Sequence, residues 1–135
     1  MFSFDSNYRV CYGDTDMMGV VYYGNYPRIY EIGRNDMIRE IWKSYKEMEK
    51  DGIILPARSL KVNYLKPAYY DDLLTTRTII KEIPKVKFKL ITQIYNENNE
   101  LINEGEVVLV FMNAATGRPC KAPEELCDIL KNKMR

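Results

Sequence analysis

One change of period divides the chain. Tyr26, Tyr30, Gly33, Met37, Ile41, Tyr45 and Met48 recur every three or four positions. That is the spacing of one face of a long amphipathic helix. Asn25 is the expected N-cap, Pro27 sits in the first turn, where its missing N–H costs little, and Gly52 stops the helix. Gly33 lies on the apolar stripe, where a missing side chain lets another backbone come close. After Gly52 the period falls to two. Leu60, Val62 and Tyr64 alternate with Lys61 and Asn63, and Phe88, Leu90 and Thr92 alternate with Lys87, Lys89 and Ile91. "LLTTRTIIKEI" and "EGEVVLVFM" add two more strand-like runs. Ahead of the helix, "YRVCYG" (Tyr8–Gly13) mixes β-branched and aromatic residues and reads as a strand. "PEELCDILKNK" reads as a short terminal helix after Pro123.

The order is therefore strand, long helix, four successive strands and a short helix. Consecutive strands with short turns favour an antiparallel sheet, so the expected class is α+β, one long helix against that sheet. The 135 residues carry no internal repeat or linker, and residues 1–135 are expected to form a single domain with a core of its own.

Composition removes whole classes of chemistry. The chain has no histidine. That excludes Ser-His and Cys-His triads, His-ligated zinc and histidine acid–base catalysis within this chain. Cys11, Cys120 and Cys127 show no CxxC spacing and are read as reduced thiols in a reducing cytosol. Twenty Lys plus Arg against 19 Asp plus Glu leave a net charge of +1, and no basic field points to nucleic acid. No apolar run is long enough to span a membrane, and "MFSFDSNYRV" lacks the basic start and apolar stretch of a signal peptide, so a cytoplasmic protein is expected.

The chemistry-bearing stretch is "YGDTDMMGVVYYGNY", Tyr12 to Tyr26. Asp14 and Asp16 are two apart and point the same way in extended chain. A turn pair bonded to nearby backbone N–H groups is the plainest reading. A calcium loop is a poor fit, because "MMG" lacks the later oxygen ligands. The pair lies just before a helix N-terminus, where free N–H groups stabilise negative charge. A carboxylate facing such an N–H across a pocket is the layout needed for acyl transfer.

"YGDTDMMGVVYYGNYPRIYE" resembles the signature of the hotdog-fold acyl-CoA thioesterases of the 4-hydroxybenzoyl-CoA thioesterase type, especially the branch associated with the Tol–Pal gene cluster. "RSLKVNYLKPAYYDDLL" resembles that family's second and third strands. "NEGEVVLVFMNAATGRPCKAP" resembles its last strand and exit, so the likeness covers nearly the whole chain. The resemblance implies a hotdog fold, an antiparallel sheet wrapped around one long central helix. It implies hydrolysis of a coenzyme A thioester to a carboxylic acid and free coenzyme A.

Carried onto this sequence, the family's catalytic carboxylate falls on Asp16, as nucleophile or general base. Its oxyanion donor falls on the backbone N–H of Tyr23. Many members of that branch have histidine there; the donated group is backbone, so the change is compatible with the role. Asp14 is read as shaping the loop. Asn25 caps the helix and orders the site, and Tyr22 is placed in an acyl or aryl pocket. Tyr26 and Tyr30 are read as core by their helical spacing. "KEIPKVKFK" sets Lys81, Lys85, Lys87 and Lys89 around a turn. It fits a solvated edge strand guarded by lysines, and equally a clamp for the phosphates of coenzyme A. Relatives place basic side chains where Lys85 and Lys87 stand here, and Arg58 holds a similar position. No metal and no cofactor beyond coenzyme A as part of the substrate is expected. A homo-oligomer, dimer or tetramer, is expected, because one helix cannot bury both faces of such a sheet and family members build sites from two subunits. The alternative is a non-catalytic acyl-CoA-binding or assembly module of the same fold. A hydratase of this fold ranks lower, since the familiar types rely on histidine.

Overall fold

The structure, a computed structural model, describes residues 1–135. Five strands form the main antiparallel sheet: β1 (Phe2–Arg9), β3 (Ala57–Tyr64), β4 (Leu73–Ile80), β5 (Lys87–Tyr95) and β6 (Leu101–Val110), in the order β1-β4-β5-β6-β3. Two-residue strands β2 (Ile53–Ile54), β7 (Met112–Asn113) and β8 (Arg118–Pro119) make a small second sheet. Helix α1 (Tyr26–Ile41) lies on one face of the main sheet, followed by α2 (Tyr45–Lys50), and α3 (Glu124–Lys133) closes the chain. This is the α+β layout expected from periodicity. No helix is long and apolar enough to cross a membrane.

Two boundaries differ from the sequence reading. The first strand runs Phe2–Arg9 rather than Tyr8–Gly13. It alternates half-buried Phe2, Phe4, Ser6 and Tyr8 with exposed residues and pairs along its whole length with β4. Past Arg9 the chain leaves the sheet, and Tyr12–Asp14 forms a 3-10 turn. The long helix is also two helices. Trp42 breaks the backbone (φ −143, ψ −97), and Ser44 starts α2 by accepting the Glu47 N–H at 3.2 Å. Tyr45 and Met48 still pack inward, which is why the stripe runs unbroken through the break.

The core is split by a polar row. Thr78 faces Thr92, Thr92 faces Gly105, and Gly105 faces Val62 across β4, β5, β6 and β3. Thr76, Thr78, Thr92 and Asn103 are all buried. On one side lie Ile80, Phe88, Leu90, Val107 and Leu109 with Met37 and Ile38, and on the other Leu74, Ile94 and Ile102 with Ile29 and Tyr30. Gly33 crosses this row closely, but against a side chain rather than the backbone expected: a Cβ there would meet Thr76 Cγ2 at 2.7 Å. Gly105 leaves room for Tyr30, whose hydroxyl donates to Asn103 Oδ1.

Strand β3 is an edge of the sheet. Almost all of it is exposed, including Leu60 and Tyr64, and Leu65 just beyond is exposed as well. Its outer side offers backbone groups that no strand of this chain takes up.

Candidate active site

Asp14 to Tyr22 form a tight hairpin. Asp16 N–H donates to Val20 O at 3.0 Å, and Tyr22 N–H donates to Asp14 O at 2.8 Å. Thr15 and Val21 bridge between them. The turn closes with Gly19 N–H on Asp16 O at 3.0 Å, and Gly19 has φ +80, a conformation glycine takes without strain. The hairpin is pinned to the chain after β3, where Val21 N–H donates to Ala68 O at 2.8 Å.

The two aspartates do not point the same way. Asp14 closes the 3-10 turn Tyr12–Asp14, and the chain becomes extended at Thr15 before Asp16. Asp14 goes inward and is only 2% exposed. Its Oδ2 accepts the Tyr8 hydroxyl at 2.7 Å and the Cys11 N–H at 2.8 Å, and its Oδ1 accepts Arg28. Asp16 sits half-buried at the turn, between exposed Met17 and Met18 and the start of the return strand. Its Oδ1 accepts the Met18 N–H at 2.9 Å, and Oδ2 has no partner in the chain. Asp14 therefore holds the loop, and Asp16 is the carboxylate with a free oxygen.

The hairpin leads straight into α1. Tyr22 is extended (φ −60, ψ 131), and Tyr23–Asn25 make a single 3-10 turn. At the head of that turn the Tyr23 N–H has no carbonyl within the helix to bond. Asn25 is not the side-chain cap expected of it. Its backbone is already helical (φ −88, ψ −12), and its amide instead donates to Asp14 O at 2.8 Å. It thus fastens the start of α1 to the hairpin. Tyr22 and Tyr23 are exposed beside each other, with ring centroids 4.7 Å apart. The Tyr22 hydroxyl is pushed up, mainly by Tyr23 and in smaller part by the charge of Asp16. Tyr64 stands edge-on to both Tyr23 and Tyr26. Tyr26 and Tyr30 are buried, as their spacing implied.

Arg58, Lys85 and Lys87 come together elsewhere. They line a groove of about 680 Å³ with Lys89, Glu82 and Glu106. Three consecutive carbonyls of the β4–β5 connection are held from behind. Ala122 N–H takes Lys85 O at 2.5 Å, Phe111 N–H takes Val86 O at 2.9 Å, and the Cys127 thiol reaches Pro84 O at 3.5 Å. The groove is far from Asp16 within one chain. Arg58 is near the start of β3 and Tyr64 is its last residue. At ~3.3 Å per residue those positions are roughly 20 Å apart.

Tyr8 and Arg28 belong to no motif that marks them as functional. Tyr8 is on β1 and Arg28 in the first turn of α1, and only the fold brings them to Asp14. No local spacing marks that contact.

A profile of the Thioesterase-like superfamily matches residues 10–130. The chain belongs to this superfamily. Among its relatives, "Acyl-CoA thioester hydrolase YbgC" of Escherichia coli is 32% identical over 118 residues, covering 87% of this chain and 88% of the relative. "Acyl-CoA thioesterase YbgC" of Helicobacter pylori is 31% identical over 130 residues, covering 90% and 96%. Among solved structures, a DHNA-CoA thioesterase from Staphylococcus aureus superposes with a TM-score of 0.91 at 30% identity, covering 98% of this chain and 91% of that one. A 4-hydroxybenzoyl CoA thioesterase mutant complexed with 4-hydroxybenzoyl CoA shares the fold, with a TM-score of 0.84 at 22% identity over 94% of this chain and 97% of that one. The fold is the hotdog fold of these thioesterases. By family the chain is a thioesterase, and the matched span contains the Asp14–Tyr22 hairpin, α1 and the basic groove.

Proposed function

We propose that this thioesterase hydrolyses an acyl-CoA thioester to a carboxylic acid and free coenzyme A. One observation carries the reading. Asp16 keeps an unbonded carboxylate oxygen on a hairpin whose return strand ends at the open Tyr23 N–H. A thioester carbonyl seated there has its oxygen on that N–H. The charge that builds on the oxygen in the transition state is met by a fixed dipole at a helix N-terminus. Asp16 then either attacks the carbonyl carbon, forming an anhydride and expelling the coenzyme A thiolate, or takes a proton from the attacking water. Label found in Asp16 after single-turnover hydrolysis in heavy-oxygen water identifies the anhydride route, because general-base attack puts it only into the product acid. Tyr22 borders the acyl group, and Asn25 holds the donor turn against the hairpin. No metal or redox cofactor takes part. Residues 1–135 act as one domain in the cytoplasm, and the Tol–Pal-associated branch is the part of the family we assign it to.

Arg58, Lys85 and Lys87 hold the phosphates of coenzyme A, and the exposed edge of β3 supports how they reach Asp16. Antiparallel pairing of β3 with the same strand of a second copy sets the Ala57 end of one beside the Tyr64 end of the other. The basic groove of each copy then lies next to the hairpin of its partner. The working unit is a homo-oligomer built on this dimer, either the dimer itself or a tetramer.

The Met18 bond to Asp16 favours one competing reading, in which Asp16 only forms the turn and the protein binds acyl-CoA without turnover. Thiol release from a panel of acyl-CoAs decides. Asp16→Asn keeps the shape of the side chain and removes its charge. It is expected to lower kcat by at least about 10²-fold while binding of a non-hydrolysable analogue survives. Asp14→Asn is expected to lower the melting temperature while keeping far more turnover than Asp16→Asn. Normal turnover by Asp16→Asn overturns the catalytic assignment.

A further inference from the structure

Asp14 joins three parts of the molecule at one carboxylate. Tyr8 reaches it from the end of β1, the Cys11 N–H from the 3-10 turn, and Arg28 from the first turn of α1. The same Arg28 nitrogen donates to the Tyr8 hydroxyl at 2.9 Å, and the guanidinium lies 5.8 Å from the Tyr8 ring centre. The Arg28 side chain is 53% exposed over a carboxylate that is 3% exposed, so it covers Asp14 from the solvent side. It is also the one side chain that joins α1 to the Asp14 carboxylate.

We propose that Arg28 is a positioning residue for the active site. By holding the Asp14 carboxylate and the Tyr8 hydroxyl at once, it fixes the Asp14–Tyr22 hairpin against the first turn of α1. That sets the separation between the Asp16 carboxylate and the Tyr23 N–H. The inference rests on the thioesterase reading of Asp16 given above.

The two reacting parts sit on different elements: Asp16 on the hairpin, the N–H at the head of α1. Only a few bonds set their relative position. Asn25 and the Tyr22 N–H hold the Asp14 carbonyl, and Arg28 holds the Asp14 side chain. An error of about 1 Å in such a separation can cost on the order of 10² in rate. Arg28 itself points at Asp14 and Tyr8 rather than at the free oxygen of Asp16, so it acts through the hairpin. One guanidinium nitrogen serves both acceptors while the delocalised charge faces the buried carboxylate; a neutral amide lacks that charge, and an ammonium is a more strongly hydrated point charge.

The test pairs kinetics with amide exchange on the 135-residue chain. Arg28→Gln is expected to stay folded, to lose roughly tenfold in kcat and to keep its KM for acyl-CoA, because the basic groove is untouched. Arg28→Lys is expected to fall between. In Arg28→Ala, added guanidinium is expected to restore kcat where ammonium at the same ionic strength does not. By hydrogen exchange, the Asp16, Gly19 and Tyr22 amides of Arg28→Gln are expected to exchange several-fold faster, with β5 and β6 unchanged. A purely structural role moves the melting temperature and leaves kcat of the folded fraction as in wild type, and that result overturns the proposal. Unchanged exchange at the hairpin amides overturns it too. If the wild type releases no thiol from any acyl-CoA, the thioesterase reading fails, and the exchange data still decide whether Arg28 fixes the hairpin.

Discussion

The Tyr64 hydroxyl donates to the Tyr23 carbonyl at 3.2 Å. The last residue of edge strand β3 thereby holds the peptide plane next to the proposed oxyanion donor. Its ring also packs edge-on against Tyr23 and Tyr26, at 6.2 and 5.6 Å. Tyr64→Phe keeps the rings and deletes the bond. Such a bond contributes only about 0.5–1.5 kcal/mol, and less in an exposed place. The melting temperature is therefore expected to move little, while kcat falls several-fold as the Tyr23 turn loosens. Equal kcat in the two proteins would show that the bond has no part in holding the turn.

Gly105 is where the core has least room. A Cβ there would lie 2.4 Å from Tyr30 Cε2 and 2.5 Å from the Lys61 carbonyl oxygen. The Tyr30 ring cannot retreat, since it is fully buried between α1 and the sheet, and the Lys61 oxygen belongs to the β3 backbone. Gly105→Ala is expected to destabilise by roughly 3 kcal/mol, the upper range for overpacking a core. Urea unfolding reads this as a lower midpoint with unchanged slope. Gly33→Ala meets the Thr76 methyl and is expected to cost less, because a side chain can shift where a backbone cannot.

These crowded positions show what the sequence could and could not say. Gly33 stood out because it interrupts an apolar stripe, though what comes close is the Thr76 side chain rather than a backbone. The threonine row beneath it gives no hydrophobic signal, so the division of the core was invisible. The break at Trp42 was hidden because Tyr45 and Met48 stay on the buried face. Ser44 and Glu47, at capping-box spacing, were the available clue. The family motif gave Asp14 and Asp16 different roles; in the fold Asp14 closes a 3-10 turn and is buried, while Asp16 lies beyond that turn on the hairpin. Arg28 and Tyr8 had no local signature. Their meeting at Asp14 depends on where β1 and α1 lie in the finished fold.

Burial sets an alkaline limit. The Tyr26 hydroxyl is pushed up to about 12, first by burial and then by the nearby Tyr64 phenol. The native state favours the neutral phenol, whereas the unfolded chain releases the proton near its ordinary value of 10.0. The resulting stability is fully present below about pH 10 and is lost as pH rises through about 12. Two units correspond to roughly 2–3 kcal/mol. Tyr26→Phe has no such proton to lose. Its unfolding free energy is expected to fall less steeply than that of wild type over this range, as followed by denaturant titration at each pH. Parallel curves would mean that Tyr26 is freely ionised in the native state.

The arrangement of β3 makes a strong demand on the assembled enzyme. Within one chain the basic groove and the Asp16 hairpin lie at opposite ends of this strand. If two copies pair β3 to β3, each site takes its carboxylate from one chain and its phosphate-binding groove from the other. Replacing both Lys85 and Lys87 by Ala should then raise KM, weaken its salt dependence and leave kcat nearly unchanged. The Asp16→Asn chain alone should be almost inactive. Refolding the two variants together gives a mixed dimer with one site lacking both features and one site with neither mutation. About a quarter of all sites then regain wild-type KM when the two chains are equal in amount and pair at random. A site built within one chain predicts the reverse, since every Asp16 in the mixture would keep its own damaged groove. The measurement is the KM of thiol release before and after co-refolding, with each variant refolded alone as control. Recovery of a low-KM fraction places the groove and the carboxylate on different copies, and its absence, with mixed dimers verified by mass, returns both to one chain.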